Sequence, residues 1–291
     1  MKKSVIFYLF FILLIDCNYL EAQVDYHSPD NVYQFADYLY KIGDYSRAIG
    51  EYQRYLFISN SHNYDSIYYK IGLCYEYSNN PETARNIFFK IVNTFPNSDF
   101  LDRTYYQIAF TYYKNHDYDY SIAFAEDNIS KMSTVFGKYK LYLLICINNL
   151  YEKKWEAAYN NFNILKSNEY KDFNDSVSKL EILTIDGMNL KYKSVILASL
   201  FSAFIPGSGK MYTGRINDGI YSFATIGISA WQAYDGFRSK GANSVKGWIY
   251  GILGTTLYLG NIYGSAVSVQ IYNNKLEKNI YNRISIDLTW Q

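Results

Sequence analysis

The chain has 291 residues, room for one large or two modest domains, and its formal net charge of +1 argues against a nucleic-acid surface or a polyacidic partner. Aromatic residues make up 19% of it, with 34 tyrosines, against only three cysteines and three histidines. That inventory excludes a disulfide-stapled scaffold, and none of His27, His62 and His116 lies at a metal-ligand spacing from another, so no metal site and no cofactor is expected.

The first predicted element is a targeting segment over residues 1–22. Lys2-Lys3 forms its positive end, Val5–Ile15 its apolar run, and a cut after Ala22 leaves a chain starting near Gln23. This predicts export from a bacterial cytoplasm. Cys17 raises lipidation as an alternative, but Asp16 is a poor residue to precede a lipidated cysteine.

From about residue 30 to 168 a pattern recurs every 36 or 37 residues. Small residues fall at Ala36, Gly72, Ala109 and Cys146, and a second series twelve residues later at Ala48, Ala84, Ser121 and Ala158. Small residues at fixed phase let two helices approach backbone to backbone, and such a period marks stacked helix–turn–helix units. Turn residues divide each pair of helices: Gly43-Asp44, Asn79-Asn80-Pro81 and Asn115-His116-Asp117. Gly72, Tyr75, Ala84, Phe88 and Pro96 sit at signature phases of the tetratricopeptide repeat family, which residues 30–168 resemble over about four units. The fourth, with Cys146 and Asn149 at the small and aromatic phases, departs most from that pattern. The resemblance implies an all-α, tetratricopeptide-like α-solenoid that binds a protein or peptide in a groove lined by the first helix of each unit. Tyr33, Tyr40, Tyr69, Lys70, Tyr106, Gln107 and Tyr113 are its candidate groove residues. Cys74 and Cys146, two repeats apart, are expected as buried free thiols. Residues 169–193 are expected to form a capping helix and a linker.

Composition changes after Lys193, opening a hydrophobic helical module over 194–273. Its apolar stretches are Val195–Ile205, Gly219–Tyr234 and Trp248–Ile271, of which the last has the length of a comfortable membrane span and carries no charge. Arg238, Lys240 and Lys246 in the connector between the second and third predict that connector on the cytoplasmic side, with the repeats in the periplasm. Between the first two stretches lies a loop with Pro206, Gly207, Gly209, Tyr212, Gly214 and Arg215, then Asp218 as the expected N-cap and Gly219. Gly251, Gly260, Asn261 and Gly264 are the expected helix-packing positions of the third stretch. The loop followed by Asp-Gly and later by Gly260-Asn261-Ile262-Tyr263-Gly264 resembles a small membrane-associated module of bacterial envelope proteins. Its fusion to such repeats resembles proteins sometimes encoded near membrane-protein insertion factors. Ser208 and Lys210 depart from that module's usual loop. The run Gly207-Ser208-Gly209-Lys210 is not a phosphate-binding loop, because Phe204 and Met211 occupy places that need Gly and Ser or Thr, so no nucleotide is expected. The tail, 274–291, alternates Ile284, Ile286, Leu288 and Trp290 as a short strand would.

No catalytic constellation is present. The expectation is a non-enzymatic envelope scaffold at the inner membrane, its repeats binding a protein partner and its C-terminal helices touching membrane lipid. Two alternatives stay open: an insertion or transport component in which the C-terminal module is the active part, and an outer-membrane assembly subunit.

Overall fold

The computed structural model describes residues 25, 27–59, 64–167, 177–284, 286 and 288–290. The targeting segment, Cys17 and His62 lie outside them. Among the described residues every regular element is helical, and the tail alternation forms no strand. The helices are α1 Pro29–Lys41, α2 Tyr45–Ile58, α3 Tyr64–Tyr77, α4 Pro81–Thr94, α5 Leu101–Lys114, α6 Tyr118–Asn128, α7 Val135–Tyr151 and α8 Trp155–Leu165. They continue with α9 Val177–Met188, α10 Val195–Phe204, α11 Ser208–Tyr212, α12 Ile216–Lys240 and α13 Val245–Tyr281. Two compact units result: one runs up to Leu144 and includes Trp290, the other runs from Ile145 to Thr289. The division falls inside α7, within the fourth repeat.

Four turns with one conformation punctuate the repeats. Gly43, Asn79, His116 and Lys153, spaced like the repeat itself, all have positive φ, between 58° and 81°. At each, the next residue's amide donates five residues back, to the carbonyls of Leu39, Tyr75, Tyr112 and Asn149. This left-handed cap satisfies the orphan carbonyls of one helix while aiming the chain into the next. Helix starts are set in the usual way. Ser28, Asp44 and Asn80 accept from the amides of Asn31, Arg47 and Thr83, and Pro29 and Pro81 open their helices. A histidine in the left-handed region is strained where glycine is not. His116→Gly is therefore expected to raise the urea midpoint of the first unit, by about 0.5–1 kcal/mol, despite losing the 2.8 Å contact between His116 Nδ1 and the Tyr118 hydroxyl. A lowered midpoint would show that this contact outweighs the backbone strain.

The two small-residue series do what their spacing requires. Ala36, Ala48, Ala84, Ala109, Ser121, Cys146 and Ala158 have no exposed surface. The Ser121 hydroxyl donates to the Ala109 carbonyl at 2.8 Å, and the Cys146 thiol reaches the Ala158 carbonyl at 3.4 Å. A Cβ on Gly72 would stand 2.4 Å from the Phe88 ring, so that position has no room for a side chain. Tyr52, Phe88, Ile71, Ile91 and Tyr106 fill the spaces between. Cys74 and Cys146 are buried and unbridged, and burial pushes both thiols up to about 12.

Acidic residues brace the joints between repeats. Asp65, in the first turn of α3, accepts from the Ser98 hydroxyl at 2.5 Å. Thirty-seven residues later Asp102, in the first turn of α5, accepts from the amides of Ser133 and Thr134 at 2.9 and 2.8 Å. Burial would raise the Asp102 carboxyl, but these bonds and one from the Thr134 hydroxyl hold it below the ordinary aspartate range.

In the second unit α9 packs on α8 and leaves Gly187 no space for a Cβ beside Trp155. Helices α12 and α13 form a long hairpin, closed by a short 3-10 turn at Gly241–Asn243, and α10 and α11 pack against it. Among the described residues no helix is both long and apolar enough to cross a membrane. This corrects the expectation that Trp248–Ile271 spans a membrane. Helix α13 has the length, but Thr255, Thr256, Asn261, Ser265, Ser268, Gln270 and several glycines dilute its hydropathy below that of a spanning segment.

Candidate functional site

The repeat positions expected to share one groove fall into separate clusters. Tyr33 and Lys70 meet: the Lys70 ammonium donates to the Tyr33 hydroxyl and to Asp37 Oδ1, each at 2.6 Å, and the Tyr52 hydroxyl donates to the same Asp37 oxygen. Burial would raise the Asp37 carboxyl, yet Lys70 and Tyr52 hold it below the ordinary range. Tyr40 instead packs with Tyr45 and Tyr77, half-buried. Tyr69 is a core residue between Phe88 and Phe100, hydrogen-bonded to the buried Gln107. Tyr69 and Gln107 are therefore interior residues rather than a surface lining.

Tyr106 and Tyr113 belong to a third cluster. Phe110 stacks between them, with ring centroids at 5.8 and 5.6 Å. Trp290, from the end of the chain, is seated there: its ring lies 5.3 Å from Tyr106 and 5.3 Å edge-on to Phe136. The Lys140 ammonium approaches both Tyr106 and Phe136, at 5.9 and 5.7 Å from their centroids. Phe136, Lys140 and Trp290 were not among the expected positions. The tail alternation was the signal for Trp290, and nothing in its spacing identified the partner surface.

One buried acid was also missed. Glu76 lies on α3 at the repeat phase of Tyr40 and Tyr113. It is almost fully buried, its Oε2 has no hydrogen-bond partner among the described residues, and burial raises it to about 7, Lys114 opposing that weakly.

In the second unit the two glycine motifs converge on one polar knot. Asn261 is buried; its Oδ1 accepts from the Gly207 amide at 3.1 Å and its Nδ2 donates to the Ser202 carbonyl at 3.3 Å. The Ser202 hydroxyl accepts from the Gly209 amide at 3.0 Å and lies 2.6 Å from the Ser265 hydroxyl. Tyr258 donates to the Ala203 carbonyl, and Lys210 to the Ser222 hydroxyl. The backbone left bare where Pro206 ends α10 is thereby satisfied by side chains of α13.

Gly207 and Gly219 touch. They are twelve residues apart, as in the repeats, and Gly214 between them has φ +85° with the Arg215 amide donating to the Lys210 carbonyl. The loop is thus built like a repeat turn. Arg215, not Asp218, holds the N-cap position of α12, and Asp218 reaches back to the Arg215 guanidinium at 2.6 Å. Tyr212 packs edge-on to Phe201. Of the expected packing positions, Gly264 meets Lys210, Gly251 makes ordinary contact with Phe237, and Gly260 faces open space. The close crossing of α12 and α13 is at Gly236 and Gly247 instead: a Cβ on Gly236 would stand 2.6 Å from the Gly247 backbone nitrogen, and one on Gly247 2.7 Å from the Phe237 ring.

Outward, this unit is apolar. Phe204 is 82% exposed, Tyr263 73%, Ile196 72% and Trp231 67%, and Ile220, Phe223, Ile228, Ile249, Ile252 and Leu259 are exposed as well. Within α10–α13, Ser202, Ser229, Asn261, Ser265 and Ser268 are buried while these large apolar side chains face outward, which inverts the pattern of a water-facing surface. Among the described residues no group of His, Cys, Asp and Glu could hold a metal ion.

The tetratricopeptide repeat family model matches residues 67–98, which span most of α3 and all of α4. No curated protein matches the chain. The helical hairpin with its Gly–Asn knot lies outside the family match. The repeat match, together with four identical turns, supports a protein-interaction role for the repeats.

Proposed function

We propose that this protein is a non-enzymatic adaptor of the bacterial envelope. The repeats bind an extended peptide or protein segment by an aromatic anchor, and the helices of the second unit rest in the surface of the inner membrane from its periplasmic side. The carrying observation is Trp290 seated between Tyr106 and Phe136 beside Lys140. A surface that takes a tryptophan in this way has the chemistry of an anchor pocket, in which an aromatic residue supplies most of the binding energy. The membrane part is supported by the exposed apolar side chains, and the envelope location by Lys2-Lys3 and Val5–Ile15.

A chain ending at Arg283 is expected to bind a synthetic peptide of residues 284–291, measured by fluorescence anisotropy, with a dissociation constant on the order of micromolar. Phe136→Ala should weaken it about tenfold or more. The full chain should bind the same peptide more weakly, because its own Trp290 competes. Equal binding by both chains, or none by either, would remove the anchor pocket and leave the adaptor reading without its support.

A further inference from the structure

The second unit holds a cavity of about 860 Å³ lined by Thr213, Arg215, Ser268, Tyr272, Lys275 and Lys278, among others. Its charged lining is wholly cationic. Arg215 is positioned by its bonds to Asp218 at 2.6 Å and to the Ser268 hydroxyl at 3.2 Å. Lys275 and Lys278, three residues apart on α13, have no ion-pair partner among the described residues. The acid nearest them in sequence, Glu277, is buried and paired with Lys153 at 2.8 Å. A further cation stands close by: the Lys193 ammonium lies over the Tyr272 ring, 4.4 Å from its centroid, and bonds the Tyr212 carbonyl.

Asp218 compensates Arg215, but Lys275 and Lys278 add two positive charges to the same recess with no carboxylate in its lining, so the recess attracts an anion. The donors present suit a phosphate ester. Arg215 offers guanidinium N–H groups, two ammonium groups add charge, and Asn279 and Asn282 add amide donors. The setting identifies the source of that phosphate. Ile271, which lines the cavity, and Ile216, next to Arg215, are exposed and continue the apolar surface of the unit. A headgroup held by the cations would leave its acyl chains along that surface, as basic recesses beside apolar helices hold anionic lipids.

We propose that this cavity binds the phosphate of an anionic phospholipid. The proposal rests on the membrane reading of the second unit. The test uses the full chain purified in detergent, diluted onto vesicles of phosphatidylcholine alone or mixed with phosphatidylglycerol, and read by flotation. Binding to both vesicle types is expected, with on the order of tenfold preference for the anionic ones. Lys275→Gln with Lys278→Gln should float unchanged with neutral vesicles and lose that preference, whereas Lys41→Gln with Lys179→Gln, which removes the same charge elsewhere, should retain it. If the cavity variant keeps the preference, the headgroup site is overturned and the membrane reading stands. If the intact chain floats with neither vesicle type, the membrane reading itself fails and takes the site with it. Titration of inorganic phosphate separates the two sources. Millimolar-range binding without any lipid preference would make this a free-phosphate site and overturn the lipid assignment.

Discussion

Replacing Glu76 by glutamine is expected to stabilise the first unit at pH 8 by on the order of 3 kcal/mol and to change it little at pH 4.5. The wild-type carboxyl is buried with an unpartnered oxygen, which raises it from 4.5 to about 7. The folded state therefore holds this proton more tightly than the unfolded chain does. The stability it contributes is present below the ordinary glutamate value and is lost as pH rises through about 7. Asp37 and Asp102 run the other way: both are lowered, so their contribution is present above the ordinary aspartate range and is lost on acidification below it. The two effects occupy different windows. Urea midpoints taken between pH 4.5 and 8 should fall for the wild type and stay nearly level for Glu76→Gln. Parallel curves would show that Glu76 ionises as freely in the fold as in the unfolded chain.

The repeat architecture was legible because close helix crossings tolerate only small side chains. Ala36, Ala109 and Cys146 stand out as one series in the sequence, and they are all fully buried. The same sequence marked Gly43 as a turn, but not Lys153, which adopts the same left-handed conformation. A lysine there costs only about 1–2 kcal/mol, which the two flanking helices can impose. Function was less legible. A tyrosine at groove phase has the same spacing whether it is Tyr33, paired with Lys70, or Tyr69, closed in the core by Phe88 and Phe100. Which of the two it becomes depends on the neighbouring helix rather than on its own.

The C-terminal motifs were visible as motifs, and their meeting was not. Asn261 and Gly207 lie 54 residues apart, and only the packing of α10 and α11 on α13 joins them. The twelve-residue step from Gly207 to Gly219 was in plain view, identical to the step from Ala36 to Ala48. The change of composition after Lys193 concealed it, because apolar helices with a proline break invite a reading as membrane segments rather than as another helix–turn–helix. The same bias made Asp218 look like an N-cap. The turn at Gly214 gives that place to Arg215 and leaves Asp218 to hold the arginine.

Two glycines of these motifs should respond to alanine in opposite directions. Gly207 has φ +89°, and a Cβ added there would stand 2.0 Å from the Gly219 carbonyl oxygen, a backbone atom that cannot turn aside. Gly207→Ala combines backbone strain with overpacking and also displaces the amide that Asn261 accepts from. A loss of about 3 kcal/mol or more is expected. Gly260, one residue before Asn261, lies inside α13 and would place a Cβ in open space. Gly260→Ala is expected to gain about 0.5–1 kcal/mol from helix propensity alone. Asn261→Ala should fall between Gly207→Ala and the wild type, at about 1–3 kcal/mol lost, because it strands the buried Gly207 amide without removing the turn. Thermal unfolding of the full chain in detergent, followed by circular dichroism, reads all three. The order of the three midpoints matters more than any one of them. If Gly207→Ala and Gly260→Ala moved together, the motif glycines would be acting through composition, as flexible apolar segments do. If they separate as expected, the Pro206–Gly219 loop is a rigid joint locked by Asn261, and the helices that present the apolar surface and the cationic cavity are held at fixed angles by it.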